Sequence, residues 1–191
     1  MKCLSCGKWS FKIVCKECTK IFLKPSPSFR ILCNGLRVDS FYNYDEIAPF
    51  LHTKHTVYGS KVFKILAKKS FLPFAKNFKS HLNIFAIAVD DGIKDGYSHT
   101  AILSNELKNE SIKPLFGALR AKSSFKYSGK SLEYRKAHPR EFECKVPKDS
   151  YAILIDDLVT TGSTLVEASQ KLKNEGVETL FALTLANANN Y

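Results

Sequence analysis

No run of about 20 apolar residues occurs in this 191-residue sequence, and no apolar segment follows Met1, so neither a membrane-spanning helix nor a secretory leader is expected. The chain is accordingly read as soluble and cytoplasmic, with docking on a membrane surface as a secondary expectation. No G-x-x-x-x-G-K-[ST] stretch is present, which excludes a Walker-A nucleotide site. There is no internal repeat and no low-complexity tract. Acidic residues are missing between residues 47 and 89, and the whole chain carries a formal charge of +11. That imbalance favours phosphate-bearing partners such as nucleic acid, phosphorylated metabolites or an anionic membrane face. What is present is ordinary for a folded protein: 45% hydrophobic and 25% charged residues argue against intrinsic disorder. The length allows one domain with a small appendage and excludes two full catalytic domains.

Four of the six cysteines crowd the start, as Cys3, Cys6, Cys15 and Cys18 in a C-x2-C-x8-C-x2-C pattern. Two C-x-x-C knuckles can bring four thiolates to one tetrahedral Zn(II), and Gly7 follows the first knuckle where a positive φ is often needed. The segment has too few apolar residues to fold alone, so a metal staple makes physical sense. A pair of disulfides is the main rival, disfavoured in a reducing cytosol, and a redox C-x-x-C is a second. Four thiolates leave no open coordination position, so the zinc is expected to be structural. Cys33 and Cys144 stand apart and are read as small core or surface residues.

Residues 1–24 are thus expected to form a zinc-binding module and residues 25–191 the main domain. Lys24-Pro25-Ser26-Pro27-Ser28 reads as the linker. Strands are expected over residues 29–32 and 36–42, joined by a hairpin turn at Asn34-Gly35. Asp45 is the candidate cap of a short helix from Glu46 towards His52. A helix is expected from residue 57 to about 69, ended or interrupted by Pro73. Further on come a strand at 84–89, a helix at 101–108, a weaker strand at 114–119 and a basic polar stretch at 120–148. A clear strand at 151–155, a helix at 164–174 stopped by Gly176 and a strand at 178–185 complete the chain. Strands alternating with helices imply an α/β fold with parallel βαβ units.

One segment carries most of the chemistry: an apolar strand reaches Asp156-Asp157, then Leu158-Val159-Thr160-Thr161-Gly162-Ser163-Thr164 leads into an amphipathic helix. Ligands bind at the carboxyl ends of strands in open α/β sheets. Small loop residues let backbone N–H groups converge, the Thr160, Thr161, Ser163 and Thr164 hydroxyls add donors, and the following helix start favours a phosphate. Adjacent carboxylates suit vicinal sugar hydroxyls, directly or through Mg(II). The bland alternative is a buried strand ending at Asp156 and a helix capped by Ser163 or Thr164. A Walker-B strand is excluded with its missing partner motif.

This run resembles the phosphoribosyl-pyrophosphate (PRPP) motif of type I phosphoribosyltransferases. The resemblance implies that Asp156 and Asp157 hold the ribose 2′- and 3′-hydroxyls as the candidate catalytic carboxylates, and that residues 159–164 hold the 5′-phosphate. The whole arrangement is similar to the ComF family, phosphoribosyltransferase-like proteins associated with natural competence, in which a four-cysteine zinc module precedes such a domain. The similarity spans the cysteine module, Tyr44-Asp45 through Gly59 and its helix, Gly96-Tyr97-Ser98, and residues 151–168. It implies a type I phosphoribosyltransferase-like fold, a Rossmann-like parallel sheet flanked by helices. Where the family shows Pro-Leu-His-like and Arg-Gly-Phe-Asn-like segments, this chain has Val89-Asp90-Asp91-Gly92 and Asp95-Gly96-Tyr97-Ser98. Asp95 replaces the expected basic residue, and Lys94 or the basic stretch could compensate. Type I enzymes close a mobile loop over PRPP; the candidate here is residues 120–148, with Lys130 and Arg135 as its candidate ligands. Asp90 and Asp91 could assist Mg(II) or simply form a turn.

The remaining charge is concentrated in Lys54, Lys61, Lys64, Lys68 and Lys69, with Lys76 and Lys79 beyond, interleaved with Phe63, Phe71, Phe74 and Phe78. Basic surfaces with aromatics suit single-stranded nucleic acid, where charge tracks the backbone and rings stack on bases. The bland reading is a solvated helix whose Phe residues belong to the core, and membrane docking by the same lysines is a third. Two functions follow. One is a ComF-like protein of natural transformation that binds PRPP with Mg(II) and single-stranded DNA, alongside other competence proteins. The other is a metabolic enzyme joining ribose 5-phosphate from PRPP to a nitrogenous base.

Overall fold

The structure, a computed structural model, describes residues 1–89, 97–121 and 141–188. Its centre is a sheet of Ser28–Ile31 (β1), Arg37–Asn43 (β2), Ile84–Ala88 (β3), Ile112–Leu115 (β4), Ser150–Val159 (β7) and Val177–Asn187 (β8). Leu119–Ala121 (β5) and Phe142–Cys144 (β6) pair as a separate antiparallel ribbon. The strand order is β1-β2-β8-β7-β3-β4. Every neighbouring pair is parallel except β1 with β2. Around the sheet lie helices Lys16–Ile21 (α1), Tyr44–Leu51 (α2), Gly59–Lys69 (α3), Phe71–Asn77 (α4), His99–Asn105 (α5) and Ser163–Asn174 (α6), with a short 3-10 turn at His52–His55. The α/β architecture expected from the sequence, a mostly parallel sheet flanked by helices, is the one the chain adopts.

Two apolar layers hold the sheet. On one face α3 buries Val62, Phe63 and Leu66 at helical spacing, while Lys61, Lys64 and Lys68 point to solvent. This layer also contains Phe71 of α4, Leu103 of α5 and Ile153 and Ile155 of β7. On the other face Leu165, Ala168 and Leu172 of α6 pack with Leu32, Val38 and Leu154. Each fully buried leucine-sized side chain contributes roughly 1.5–3 kcal/mol relative to exposure. Cys3, Ile13, Val14, Cys18 and Leu23 join the first layer, so the N-terminal segment shares its apolar contacts with α3.

Several boundaries differ from the sequence reading for local reasons. β7 runs on through the acidic pair to Val159, because β8 keeps pairing it at Asp156↔Thr184 and Val159↔Asn187. Asn43, not Asp45, starts α2, and the Glu46 carboxylate folds back to accept the Asn43 N–H at 3.0 Å. α3 ends at Lys69, capped by Ser70, before Pro73, which instead sits in the first turn of α4, where its missing N–H is tolerated. The segment at 114–119 divides between β4 and β5.

Chain direction places the functional end. After β3 the chain moves outward to β4, whereas after β7 it moves the other way to β8. Connections therefore diverge between β3 and β7, and their carboxyl ends border the crevice where open α/β sheets bind ligands.

Candidate functional site

β7 delivers Asp156 and Asp157 to that crevice, and the chain then turns through residues 160–162 into α6. Gly162 makes the turn with φ +78°, in the left-handed region. A Cβ there would also lie 2.5 Å from Leu32 Cδ2, so any larger residue would have to push that buried side chain aside. The Gly162 carbonyl accepts the Val166 N–H at 3.0 Å, the first bond of α6. The N–H groups of this first turn have no carbonyl partner within the helix; that of Ser163 donates to Thr161 Oγ1 at 3.4 Å. Thr161 Oγ1 and Ser163 Oγ are 3.2 Å apart. From β1, Arg30 donates through Nη2 to the Thr160 carbonyl, bringing a guanidinium to the same loop.

The two carboxylates differ. Asp156 is half-buried and its Oδ1 accepts the Asp157 N–H at 2.8 Å. Asp157 is buried, and its Oδ2 lies 3.0 Å from Lys54 Nζ and 3.5 Å from His99 Nε2. Burial opposes the charged form of Asp157, but Lys54 and His99 outweigh it and hold its pKa below the ordinary aspartate value. For Lys54, burial pulls down and the Asp157 carboxylate pushes up, with a net rise. Lys54 sits in the 3-10 turn after α2, and its carbonyl accepts the Tyr97 hydroxyl at 2.7 Å. His99 opens α5 with its ring edge-on to Phe63, centroids 5.4 Å apart.

Lys54 thus meets the acidic pair, apart from the exposed lysines of α3 with which the sequence grouped it. His99 and Arg30 were missed in the sequence, since nothing local to them signals a site. Only the placement of separate loops on one sheet edge would have found His99. Thr160, Thr161, Ser163 and Thr164 all reach the loop. Val159 does not present its side chain there; it is buried, and its carbonyl accepts the Ala188 N–H at 2.9 Å. Asp90, Asp91, Lys130 and Arg135 lie outside the described residues, as do Lys94 and Asp95.

Cys3, Cys6, Cys15 and Cys18 come together, their sulfurs all within 4.8 Å of one another. Zn–S bonds of about 2.3 Å require tetrahedral edges of about 3.8 Å, and Cys6 Sγ and Cys15 Sγ stand 3.9 Å apart. The four thiols therefore fit one tetrahedral ion and could hold zinc. Gly7 has φ +72° in the first knuckle. Burial opposes ionisation of Cys3, yet backbone N–H groups of Cys6, Cys15 and Ser5 pull its pKa down to about 6. A hydrogen bond with Ser5 works to lower Cys18, but burial and hydrogen bonds with the Cys15, Cys6 and Cys3 side chains push it up to about 12.

The exposed lysines Lys61, Lys64 and Lys68 of α3 border a groove of about 400 Å³ with Lys12 and Phe11 of the cysteine segment. Lys69 faces a second groove, of about 630 Å³, with Phe29, Phe41, Phe74 and Phe78. Phe63 and Phe71 are buried in the core. Among the described residues no helix is long and apolar enough to cross a membrane.

No family model and no curated protein matches the chain. Among solved structures it is similar to a hypoxanthine phosphoribosyltransferase from Staphylococcus aureus, at 16% identity over 69% of this chain and 66% of that one, with a TM-score of 0.42. An orotate phosphoribosyltransferase from Mycobacterium tuberculosis H37Rv aligns at 13% identity over 90% of this chain and 82% of that one, TM-score 0.39. UMP synthase from Leishmania donovani aligns at 15% identity over 91% of this chain and 31% of that one, TM-score 0.38. The chain spans just under two thirds of the first of these, and all three overlays are loose.

Proposed function

We propose that the crevice between β3 and β7 binds PRPP with Mg(II), and that the chain is a phosphoribosyltransferase-type protein of the ComF kind. One observation carries the reading: β7 presents two carboxylates directly before a glycine-led turn into the N-terminus of a 12-residue helix, at the point where the sheet's connections diverge. Ribose 2′- and 3′-hydroxyls donate to Asp156 and Asp157. The 5′-phosphate accepts from the first-turn N–H groups and from the hydroxyls of Thr160, Thr161, Ser163 and Thr164. Arg30 steadies the loop through the Thr160 carbonyl. Mg(II) prefers oxygen donors, which the half-exposed Asp156 supplies and which Asp157 shares with Lys54; bound there, it would offset the ligand's diphosphate charge. Asp90, Asp91, Lys130 and Arg135 are proposed to complete the diphosphate end. The cysteine cluster is proposed to hold structural zinc as the N-terminal module, residues 1–24, ahead of the domain at 25–191.

The lysine-lined groove beside α3 supports the second half of the reading, contact with single-stranded DNA during natural transformation. Three α3 lysines and Lys12 surround it with Phe11 fully exposed, and no acidic residue lines it. Titration calorimetry of PRPP in Mg(II), with wild type and Asp156→Ala/Asp157→Ala, tests the first half. Wild-type binding lost in the variant is expected; wild type that binds no PRPP sinks it. Fluorescence anisotropy with single-stranded DNA tests the second, where no binding even at low salt counts against it. Turnover with nucleobases would shift the reading to the metabolic enzyme.

A further inference from the structure

Lys54 and His99 approach Asp157 from the side of the sheet opposite the phosphate loop. Asp157 faces the layer of α3 and α5, whereas Gly162 and α6 cover the other face. On the reading above, the ribose diol edge rests on Asp156 and Asp157 and C4, which bears the 5′-phosphate arm, points to the loop. C1 lies at the other end of that diol edge, so the anomeric substituent is carried towards Lys54 and His99.

We propose, resting on that PRPP reading, that Lys54 with His99 receives the anomeric diphosphate, Lys54 exchanging the Asp157 carboxylate for it. Lysine suits the exchange, being a point charge with three donors on a flexible stem. Its side chain is 34% exposed, so the ammonium can swing without opening the core. The ribose hydroxyl that arrives at Asp157 replaces the hydrogen bond that the ammonium gives up. A diphosphate, carrying more charge than one carboxylate, draws the ammonium across.

The backbone beneath Lys54 is held fast while its side chain moves. Tyr97 donates its hydroxyl to the Lys54 carbonyl. Gly59, at the start of α3, packs so closely that a Cβ would come 2.1 Å from Tyr97 Oη and 2.3 Å from the Thr53 carbonyl oxygen. The turn, Tyr97 and α3 are therefore locked together, and Tyr97 and Gly59 act as positioning residues for Lys54.

The test compares PRPP with ribose 5-phosphate, which shares the diol and the 5′-phosphate but lacks the diphosphate. Lys54→Met should weaken PRPP by about 10- to 100-fold, the loss of one charge-assisted contact, and should not weaken ribose 5-phosphate, which displaces the ammonium from Asp157 but offers it no diphosphate. Lys54→Arg should recover most PRPP affinity. Pyrophosphate alone, which needs no ribose contact with Asp157, should also bind wild type more tightly than Lys54→Met. Equal weakening of PRPP and ribose 5-phosphate, or undiminished pyrophosphate and PRPP binding in Lys54→Met, overturns the assignment. Wild type that binds neither sugar phosphate overturns the PRPP reading beneath it, a distinct result.

Discussion

The cysteine cluster and the β7–α6 crevice are assembled in opposite ways. All four thiols come from the first eighteen positions of the chain, and two knuckles suffice to gather them. The crevice instead collects Arg30 from β1, Lys54 from a 3-10 turn, His99 from α5 and the acidic pair from β7. A short-range site depends on local turns and on its ion. A long-range site depends on the whole sheet being in register, and its electrostatics are set by groups far away in sequence. The two regions should therefore fail differently.

The largest effect is expected at the cysteines. Cys3→Ser, or a strong chelator, should remove zinc measured by elemental analysis and lower the melting temperature of the whole chain. Structural zinc contributes as much as about 10–16 kcal/mol in small metal-folded peptides, and Cys3 and Cys18 share an apolar layer with α3. Zinc lost without any change in melting would show instead that the two regions are independent.

Asp157→Ala comes next. It leaves the half-buried Lys54 without its carboxylate, and of the order of 3 kcal/mol should be lost in urea unfolding. The double variant Asp157→Ala/Lys54→Met should recover part of that loss. The Asp157 pKa is depressed in the fold, so its contribution is present above the unfolded aspartate value, about 4, and fades as pH falls through the lower folded value. The Lys54 pKa is raised, so its contribution is present below the unfolded lysine value, about 10.4, and fades as pH climbs through the higher folded one. Wild type should exceed the double variant most between those limits. A difference that does not vary with pH would contradict the ion pair.

Gly162→Ala should cost about 1–3 kcal/mol, because it forces φ +78° on alanine and drives a methyl group into Leu32. Adding Leu32→Ala relieves the clash but not the backbone strain, so rescue should be incomplete. The smallest stability effect belongs to the lysine face. Lys61→Glu/Lys64→Glu/Lys68→Glu should shift unfolding by no more than about 0.5 kcal/mol per site and leave PRPP affinity intact, while abolishing single-stranded DNA binding.

How much was legible follows the same division. C-x2-C-x8-C-x2-C and Asp156-Asp157 through Thr164 are contiguous, so the gathering of the four thiols and the strand–turn–helix that follows the acidic pair can be read from spacing alone. Strands at 84, 151 and 178 announced themselves as apolar runs, and Asn34-Gly35 announced the hairpin. Lys54 was visible only as one lysine among many, because charge counting cannot tell an ammonium turned into a crevice from one in solvent. His99 and Arg30 carry no local signature, and the structure alone brings them to the carboxylate and the loop. The end of β7 was misjudged for a related reason: Asp156 and Asp157 look like strand terminators until β8 is seen pairing beyond them.

The central claim is that the β7–α6 turn holds the 5′-phosphate while the acidic pair holds the ribose. A crystal structure of the chain grown with PRPP and Mg(II) tests it most directly. The account predicts the 5′-phosphate within hydrogen-bonding distance of the N–H groups of Ser163 and Thr164, with the ribose hydroxyls on Asp156 and Asp157. PRPP bound elsewhere on the molecule, with this turn and pair untouched, would contradict it.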